Sequence, residues 1–172
     1  KMTKSFNNTN KAIILKPMSM EHMPKTYDWI SDPKFRKLFM VRGISSWEEH
    51  INYFENLLRD DTQQAYAMFL GDHHFGNCGL KYINNFEKSA ELWIYIGNNE
   101  AKGVGLGGLA LDMLLKNGIN HFSLISIYVH VAVNNKWAKK LYIKNGFFEY
   151  GDCSEEWKNR DVKMVKMLWR AK

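Results

Sequence analysis

The chain has 172 residues, 45% hydrophobic and 24% charged, with a formal net charge of +6, which suits one domain able to bury its own core without staples. Its two cysteines, Cys78 and Cys153, lack metal-ligand spacing and a neighbouring Cys/His cluster, so they read as free thiols in a reducing cytoplasm, with a disulfide or a nucleophile as the lesser alternative. No apolar run is long enough to span a bilayer, and no basic stretch leads into an apolar core and cleavage site, so neither a membrane anchor nor a signal peptide is expected.

Residues 1–10 are polar and expected to be frayed, and the start at Lys1 rather than Met suggests a cloning remnant. Charge is concentrated near this end. Residues 1–43 hold nine basic side chains (Lys1, Lys4, Lys11, Lys16, Lys25, Lys34, Arg36, Lys37, Arg42) against three acidic ones (Glu21, Asp28, Asp32), so they contain the whole excess. This is either a solvated face on the first helix or a surface that steers an anionic partner, an effect that salt screens. No nucleic-acid module or basic-aromatic repeat accompanies it, which argues against nucleic acid.

The first strand is expected at Ala12–Lys16, stopped by Pro17. A helix from Ser19 to Ile30 ends before Asp32-Pro33. A second runs from Ser46 to Arg59, with Ser46 or Ser45 as N-cap and Glu49 near the answering position of a capping box. Ala65–Leu70 and His74–Ile83 form a hairpin across Gly71-Asp72, a pair suited to a type II′ turn. Asn84–Lys88 then turns the chain into an apolar strand, Ser89–Gly97. Further on come a strand at Leu124–Val131, a helix opened by Asn134 or Asn135 and closed by Gly146, and strands at Phe147–Tyr150 and Val162–Leu168. The order implies a mixed α/β sheet, antiparallel early and parallel between the Leu92 and Ile125 strands, with a crossover helix joining that pair.

That crossover helix opens on Lys102-Gly103-Val104-Gly105-Leu106-Gly107-Gly108, with four glycines in six residues. Leu106, Leu109, Ala110, Met113 and Leu114 then recur at helical spacing. Glycine reaches positive φ and leaves the main chain open to an anion, and the unpaired N–H groups of a helix's first turn face outward to meet one. A Walker loop is excluded, because Leu109 and Ala110 follow where Lys and Ser or Thr are required. Gly103, Gly105 and Gly108 match the dinucleotide spacing literally, but His121 to Val133 holds no acidic residue for the ribose. A glycine-rich turn with no ligand is the bland alternative.

Asn135-Lys136-Trp137-Ala138-Lys139-Lys140-Leu141-Tyr142-Ile143-Lys144-Asn145-Gly146-Phe147 follows the next strand. Together with Lys102 through Gly107, in that order and with a strand between, this segment resembles the paired motifs of the GNAT superfamily of acetyl-CoA-dependent N-acetyltransferases. The resemblance covers nearly the whole chain and implies that residues 11–172 form one N-acetyltransferase domain. One departure is Lys102, where the family usually has Gln or Arg; lysine keeps the charge but loses the planar fork.

The resemblance implies a mostly antiparallel sheet whose two parallel strands splay, with acetyl-CoA between them. Ile94, Tyr95 and Ile96 would pair with its pantetheine arm. Lys102, Gly103, Val104, Gly105, Leu106, Gly107 and Gly108 would hold its pyrophosphate, and Asn135, Lys140 and Tyr142 lie on its side. Tyr142 matches the family tyrosine that protonates the departing sulfur, or else is a core tyrosine. Glu91 is the candidate base, or else only an ion-pair partner. The acceptor side is given to Trp29, His50, Lys81, Tyr82 and Glu91, with His50 able to replace Glu91 as the titrating group. His73-His74 is expected to be exposed beside its turn, His121 and His130 have no evident partner, and no metal site is expected.

Trp29-Ile30-Ser31-Asp32-Pro33, with Glu48-Glu49-His50, resembles bacterial family members that act on nucleotide-linked amino sugars or on ribosomal-protein N-termini, and the basic N-terminal quarter favours the former, or another anionic small-molecule amine, over polyamines. A ribosomal-protein-like N-terminus is the alternative acceptor, and a non-catalytic acetyl-CoA sensor is the alternative class. Acetyl-CoA and the amine are the expected partners, a homodimer is allowed, and no membrane is involved.

Overall fold

In chain order the elements are β1 (Ile13–Pro17), α1 (Met23–Ser31), α2 (Pro33–Phe39), α3 (Trp47–Arg59), β2 (Gln64–Leu70), β3 (His73–Asn84), β4 (Ser89–Ile96), α4 (Leu106–Phe122), β5 (Ser126–Ala132), α5 (Lys136–Lys144), β6 (Phe148–Glu149) and β7 (Met164–Arg170). Single 3-10 turns stand at Met20–His22, Asn99–Ala101 and Glu155–Trp157. This computed structural model describes residues 12–39 and 46–172. The expectation for residues 1–10, the Ser45 cap and the charges of Lys1, Lys4, Lys11 and Arg42 lie outside the described residues.

The strands form one sheet in the order β1-β2-β3-β4-β5-β7-β6. Every pairing is antiparallel except β4 with β5, which is parallel and covers three residue pairs: Ser89 with Ser126, Ala90 with Ile127, Glu91 with Tyr128. Beyond Glu91 the two strands part. α4 crosses between them, burying Ala110, Leu111, Leu114 and Leu115 in the main core with Leu80, Leu92 and Ile127. The opposite face of the sheet packs under the N-terminal helices, through Met23, Phe54 and Leu57 with Ala65, and through Trp29, Ile30 and Phe35 with Tyr95.

Local chemistry sets most of the boundaries. Ser46 caps α3 by accepting the Glu49 N–H at 3.1 Å, and Asn135 caps α5 by accepting from Ala138 at 3.1 Å. Gly71 takes φ +60° in the two-residue turn that joins Leu70 to His73, as a type II′ hairpin requires. Pro17 ends β1 from inside, since an edge strand tolerates a residue without an N–H. Two expectations need correction. The single helix over Ser19 to Ile30 is a 3-10 turn followed by α1, with Pro24 in the first turn of α1. Asp32-Pro33 also does more than stop α1: Asp32 Oδ1 accepts the Lys34 N–H at 2.9 Å and Pro33 begins α2.

A buried polar junction fixes the N-terminal helices to the sheet. Asn77 on β3 donates from its amide to Thr26 Oγ1 at 2.9 Å and to Tyr95 Oη at 2.8 Å. With both amide hydrogens used there, its carbonyl accepts from His74 Nε2 at 2.7 Å. His74, expected to be exposed, is instead half-buried and stacked on Phe69.

Trp29 closes the same junction against the backbone at the end of β4. A Cβ on Gly97 would lie 1.9 Å from the Trp29 ring, and that ring is held edge-on by His74 and Tyr95. Gly97→Ala is therefore expected to destabilise the fold by about 1–3 kcal/mol, the usual size of overpacking, read as a lower urea midpoint with an unchanged slope.

Candidate active site

Where β4 and β5 separate, a narrow cleft with about 100 Å³ of enclosed space runs between them. Its walls are Leu92–Ile96 and Val129–Ala132. Gly107, Ala138, Leu141 and Tyr142 bound it on the α4 and α5 face, and Leu38 and Phe39 of α2 bound it elsewhere. Ile94, Tyr95 and Ile96 all line it, and from Leu92 onward β4 pairs with no residue of β5.

Two left-handed glycines shape the loop before α4. Gly103 has φ +75° and Gly105 has φ +85°, and a Cβ at either would meet nothing within 4 Å. These positions therefore require glycine for the sign of φ rather than for space. Gly105 is the N-cap of α4 and offers no side-chain acceptor to the first-turn N–H groups, which belong to Leu106, Gly107 and Gly108. Val104 packs against the main core. Lys102 reaches back to Asn99 Oδ1 at 2.8 Å and lies 5.7 Å over the Phe39 ring.

Tyr142 is 5% exposed and packs on Phe147 at 5.4 Å, yet it also lines the cleft. Burial pushes its phenol above the ordinary value of 10, so it keeps its proton. Asn135 lines the cleft while capping α5; Lys140 is exposed and does not line it.

On the other face, at the last residue of β4 that pairs with β5, stands Glu91. Its side chain is 3% exposed, and Oε1 lies 2.7 Å from His130 Nδ1 on β5. Lys81, its register partner on β3, brings Nζ to 3.7 Å from Glu91 Oε2 and to 3.7 Å from Glu156 Oε1. Neither contact is a hydrogen bond, and among the described residues Glu91 Oε2 has no hydrogen-bond partner. Trp157 stacks on His130 at 5.7 Å, Ser154 donates its main-chain N–H to His130 Nε2 at 3.0 Å, and Tyr82 donates its hydroxyl to Glu156 at 3.1 Å. Lys81, Glu91, His130 and Trp157 all line the cleft that Tyr142 lines.

Three residues assigned from the sequence to the acceptor side, Trp29, His50 and Tyr82, do not line this cleft. His50 is fully buried; its Nε2–H donates to the Met23 carbonyl at 3.0 Å and its ring packs on Phe54 and Tyr27. Burial lowers its pKa. Some of the basic N-terminal quarter is also engaged: Arg36 donates to the Ile30 and Ser31 carbonyls, and Lys16 and Lys25 lie over Phe69 and Trp29. Sequence reasoning missed His130, Trp157 and Glu156. The one usable signal for His130 was its position two residues beyond Tyr128, on the strand expected to run beside Glu91. Among the described residues no group of three or more His, Cys, Asp or Glu could hold a metal ion, and no helix is long and apolar enough to cross a membrane.

A sheet whose one parallel pair splays into such a cleft, behind a glycine-opened crossover helix, is the architecture of the acetyltransferase fold that the motifs resemble. Residues 12–148 match the family described as Acetyltransferase (GNAT) domain. The chain is 36% identical over 128 residues to the spermidine N(1)-acetyltransferase of Vibrio cholerae serotype O1, covering 72% of this chain and 73% of that one. It is 23% identical over 135 residues to acetyltransferase PseH of Campylobacter jejuni, covering 78% and 82%. The crystal structure of the Vibrio cholerae spermidine N-acetyltransferase in complex with CoA and spermine superposes with a TM-score of 0.83 at 22% identity, over 92% of this chain and 95% of that one. A dodecameric form of that enzyme has a TM-score of 0.73 at 23% identity, over 92% and 93%. The chain belongs to the GNAT acetyltransferase family, and it is an N-acetyltransferase that transfers acetyl to an amine.

His22, His50 and His74 all have pKa values lowered from 6.5, chiefly by burial. Unfolding lets each take up a proton that the folded chain resists. Their contribution is therefore complete above about pH 6.5 and is lost as pH falls through that value toward the depressed folded pKa. The urea midpoint is expected to be level from pH 8 to pH 7 and to fall between about pH 6.5 and pH 5.5, before carboxylates titrate appreciably.

Proposed function

We propose that the acetyl group of acetyl-CoA passes directly to the primary amine of a nucleotide-linked amino sugar or a similar anionic small molecule. Glu91 acts as base and Tyr142 as acid. The observation that carries this reading is that a buried carboxylate and a buried phenol, on opposite faces of the sheet, open onto the one cleft that the β4–β5 separation creates.

The residues present fit the coenzyme. The unpaired edge of β4 from Leu92 to Ile96 offers main-chain groups to an amide-bearing arm, and the left-handed turn at Gly103 and Gly105 leaves the first N–H groups of α4 free of a side-chain cap. Bound acetyl-CoA supplies an activated acetyl thioester. Tyr142, kept protonated by burial, stands ready to donate to the departing sulfur. In this reading Glu91 Oε2, which has no hydrogen-bond partner among the described residues, accepts the proton of the incoming ammonium. Fixing these groups on packed strands and a capped helix supplies the orientation that direct transfer needs.

The acceptor class rests on charge. Glu91 and Glu156 are both within 3.7 Å of the Lys81 ammonium, so these two carboxylates are already partly matched before a polycation arrives. Residues 1–43 add an excess of +6, and α2 from that region brings Leu38 and Phe39 to the cleft. A polyamine acceptor is the second reading, favoured by the 36% identity to an enzyme named for spermidine. Assembly into a homo-oligomer belongs to the same proposal, in line with the dodecameric relative.

Thiol release from acetyl-CoA across a panel of amines tests both readings. A nucleotide-linked amino sugar is expected to give the highest kcat/KM; spermidine in first place would make the second reading the correct one. With the best acceptor, Tyr142→Phe should lower turnover about 10²–10⁴-fold with coenzyme affinity retained, and Glu91→Gln should flatten the acidic limb of the pH–rate profile. A normal rate in Tyr142→Phe would reduce that residue to packing. Gly107→Val, at a position where a Cβ meets only side chains at 3.4 Å or beyond, should leave the fold intact. Calorimetry should show it losing acetyl-CoA affinity.

A further inference from the structure

A backbone N–H can only donate. The Ser154 N–H meets His130 Nε2 at 3.0 Å, so that nitrogen presents its lone pair and the ring carries its proton on Nδ1. Nδ1 lies 2.7 Å from Glu91 Oε1, which fixes Glu91 Oε1 as the acceptor. A second proton on Nε2 would face the Ser154 N–H, donor against donor, in a place where the imidazole is 1% exposed. The hydrogen bonds therefore define a neutral ring of one tautomer, not an imidazolium paired with a carboxylate.

We propose that His130 is the positioning residue of the acetyl transfer. Its Nδ1–H anchors Glu91 through Oε1 and keeps Oε2 turned to the acceptor amine, while Ser154 holds His130 in the tautomer that can do so. The proposal rests on Glu91 being the base. The groups around the ring fit this role. Lys81, from β3, places its ammonium 3.7 Å from Glu91 and disfavours a further positive charge beside it. Tyr128, on β5, meets the ring edge-on at 5.9 Å and has its phenol pushed up to about 12, so it stays neutral. Trp157 covers the ring, Arg160 lies 5.0 Å over that indole, and Glu156 is held by Lys81 and Tyr82. The segment Ser154 to Trp157 thus ties the base to the acceptor-side surface, and displacing it releases His130 before it touches Glu91.

The test uses the full chain with His130→Ala and His130→Asn, each alone and combined with Glu91→Gln. His130→Ala is expected to lower kcat about 10²-fold with the KM for acetyl-CoA little changed. It should also move the acidic limb of the pH–rate profile to higher pH, because a carboxylate that loses a donor holds its proton more tightly. His130→Asn retains an N–H donor near Nδ1 and should recover most of the rate. In the Glu91→Gln background, His130→Ala should cost no more than about twofold, because the two residues act as one unit. An equal loss in both backgrounds, or a wild-type rate and profile in His130→Ala while Glu91→Gln is impaired, overturns the positioning role alone. Wild-type turnover in Glu91→Gln overturns the base and the proposal together. Independently of turnover, long-range ¹H–¹⁵N spectra of the unaltered protein at pH 7 should show His130 protonated on Nδ1 only. A proton on Nε2 overturns the proposal even where the variants fold poorly.

Discussion

Everything functional in this protein depends on a parallel ladder that is only three residue pairs long. Ser89, Ala90 and Glu91 pair with β5, and Leu92 does not. A longer ladder would continue the sheet through the middle of the molecule and leave no cleft. A shorter one would free Glu91 from the strand that delivers His130. The outer strands make the opening tolerable. β4 stays paired with β3 through Ile96, and β5 stays paired with β7 from Ser126 to Ala132, so each wall of the cleft keeps one complete set of backbone hydrogen bonds. Only the inner edges are left open.

Glu91 is buried at the point where the ladder ends, and burying a carboxylate is costly unless partners compensate. Here a hydrogen-bond donor at 2.7 Å and an ammonium at 3.7 Å share the work. They are not equivalent. The hydrogen bond from His130 is short and geometrically fixed, whereas the Lys81 contact exceeds hydrogen-bond length and is shared with Glu156. Oε2 is therefore the oxygen still able to accept a proton. Tyr142 meets the complementary requirement with no hydrogen bond shaping its state: desolvation alone keeps the phenol neutral. The two groups at the cleft are thus held by different means, Glu91 by a hydrogen bond and an ammonium and Tyr142 by burial.

What the sequence revealed was what local chemistry controls. The Ser46 and Asn135 caps, the Gly71 turn, the left-handed glycines before α4 and Gly146 after α5, at φ +91°, all follow from constraints spanning a few residues. The two motifs around Lys102–Gly107 and Asn135–Phe147 are of this kind, which is why the fold and the family were legible. The acceptor side was not. His130 lies 39 residues from Glu91 and Ser154 a further 24 from His130, and no periodicity links them. α2 was hidden by Asp32-Pro33, which reads as a stop although the same pair is a good cap and first residue. His50 was assigned to the acceptor side because its helix overhangs that side in the family the motifs resemble, and its burial was not visible in the sequence. In the fold its Nε2–H satisfies the Met23 carbonyl and its ring fills a space between Tyr27, Trp47 and Phe54.

This division between legible and hidden residues follows the two faces of the sheet. The face under α4 and α5 carries Val104, Leu106 and Tyr142 in one continuous core, so its positions are constrained by packing. The face carrying Glu91 is finished by side chains from separate places: Lys81 on β3, His130 on β5, and Glu156 and Trp157 on the connection into β7. That connection is tied internally by a 3-10 turn, the Lys158–Glu155 ion pair and the Arg160 Nε bond to the Glu156 carbonyl at 3.1 Å, and its attachment to the sheet runs through Ser154, Glu156 and Trp157. Changes there can reshape what the amine meets without disturbing the splayed strands or the helix that opens on glycine. A fold arranged in this way can keep one donor chemistry while its acceptor is altered from the other side of the sheet.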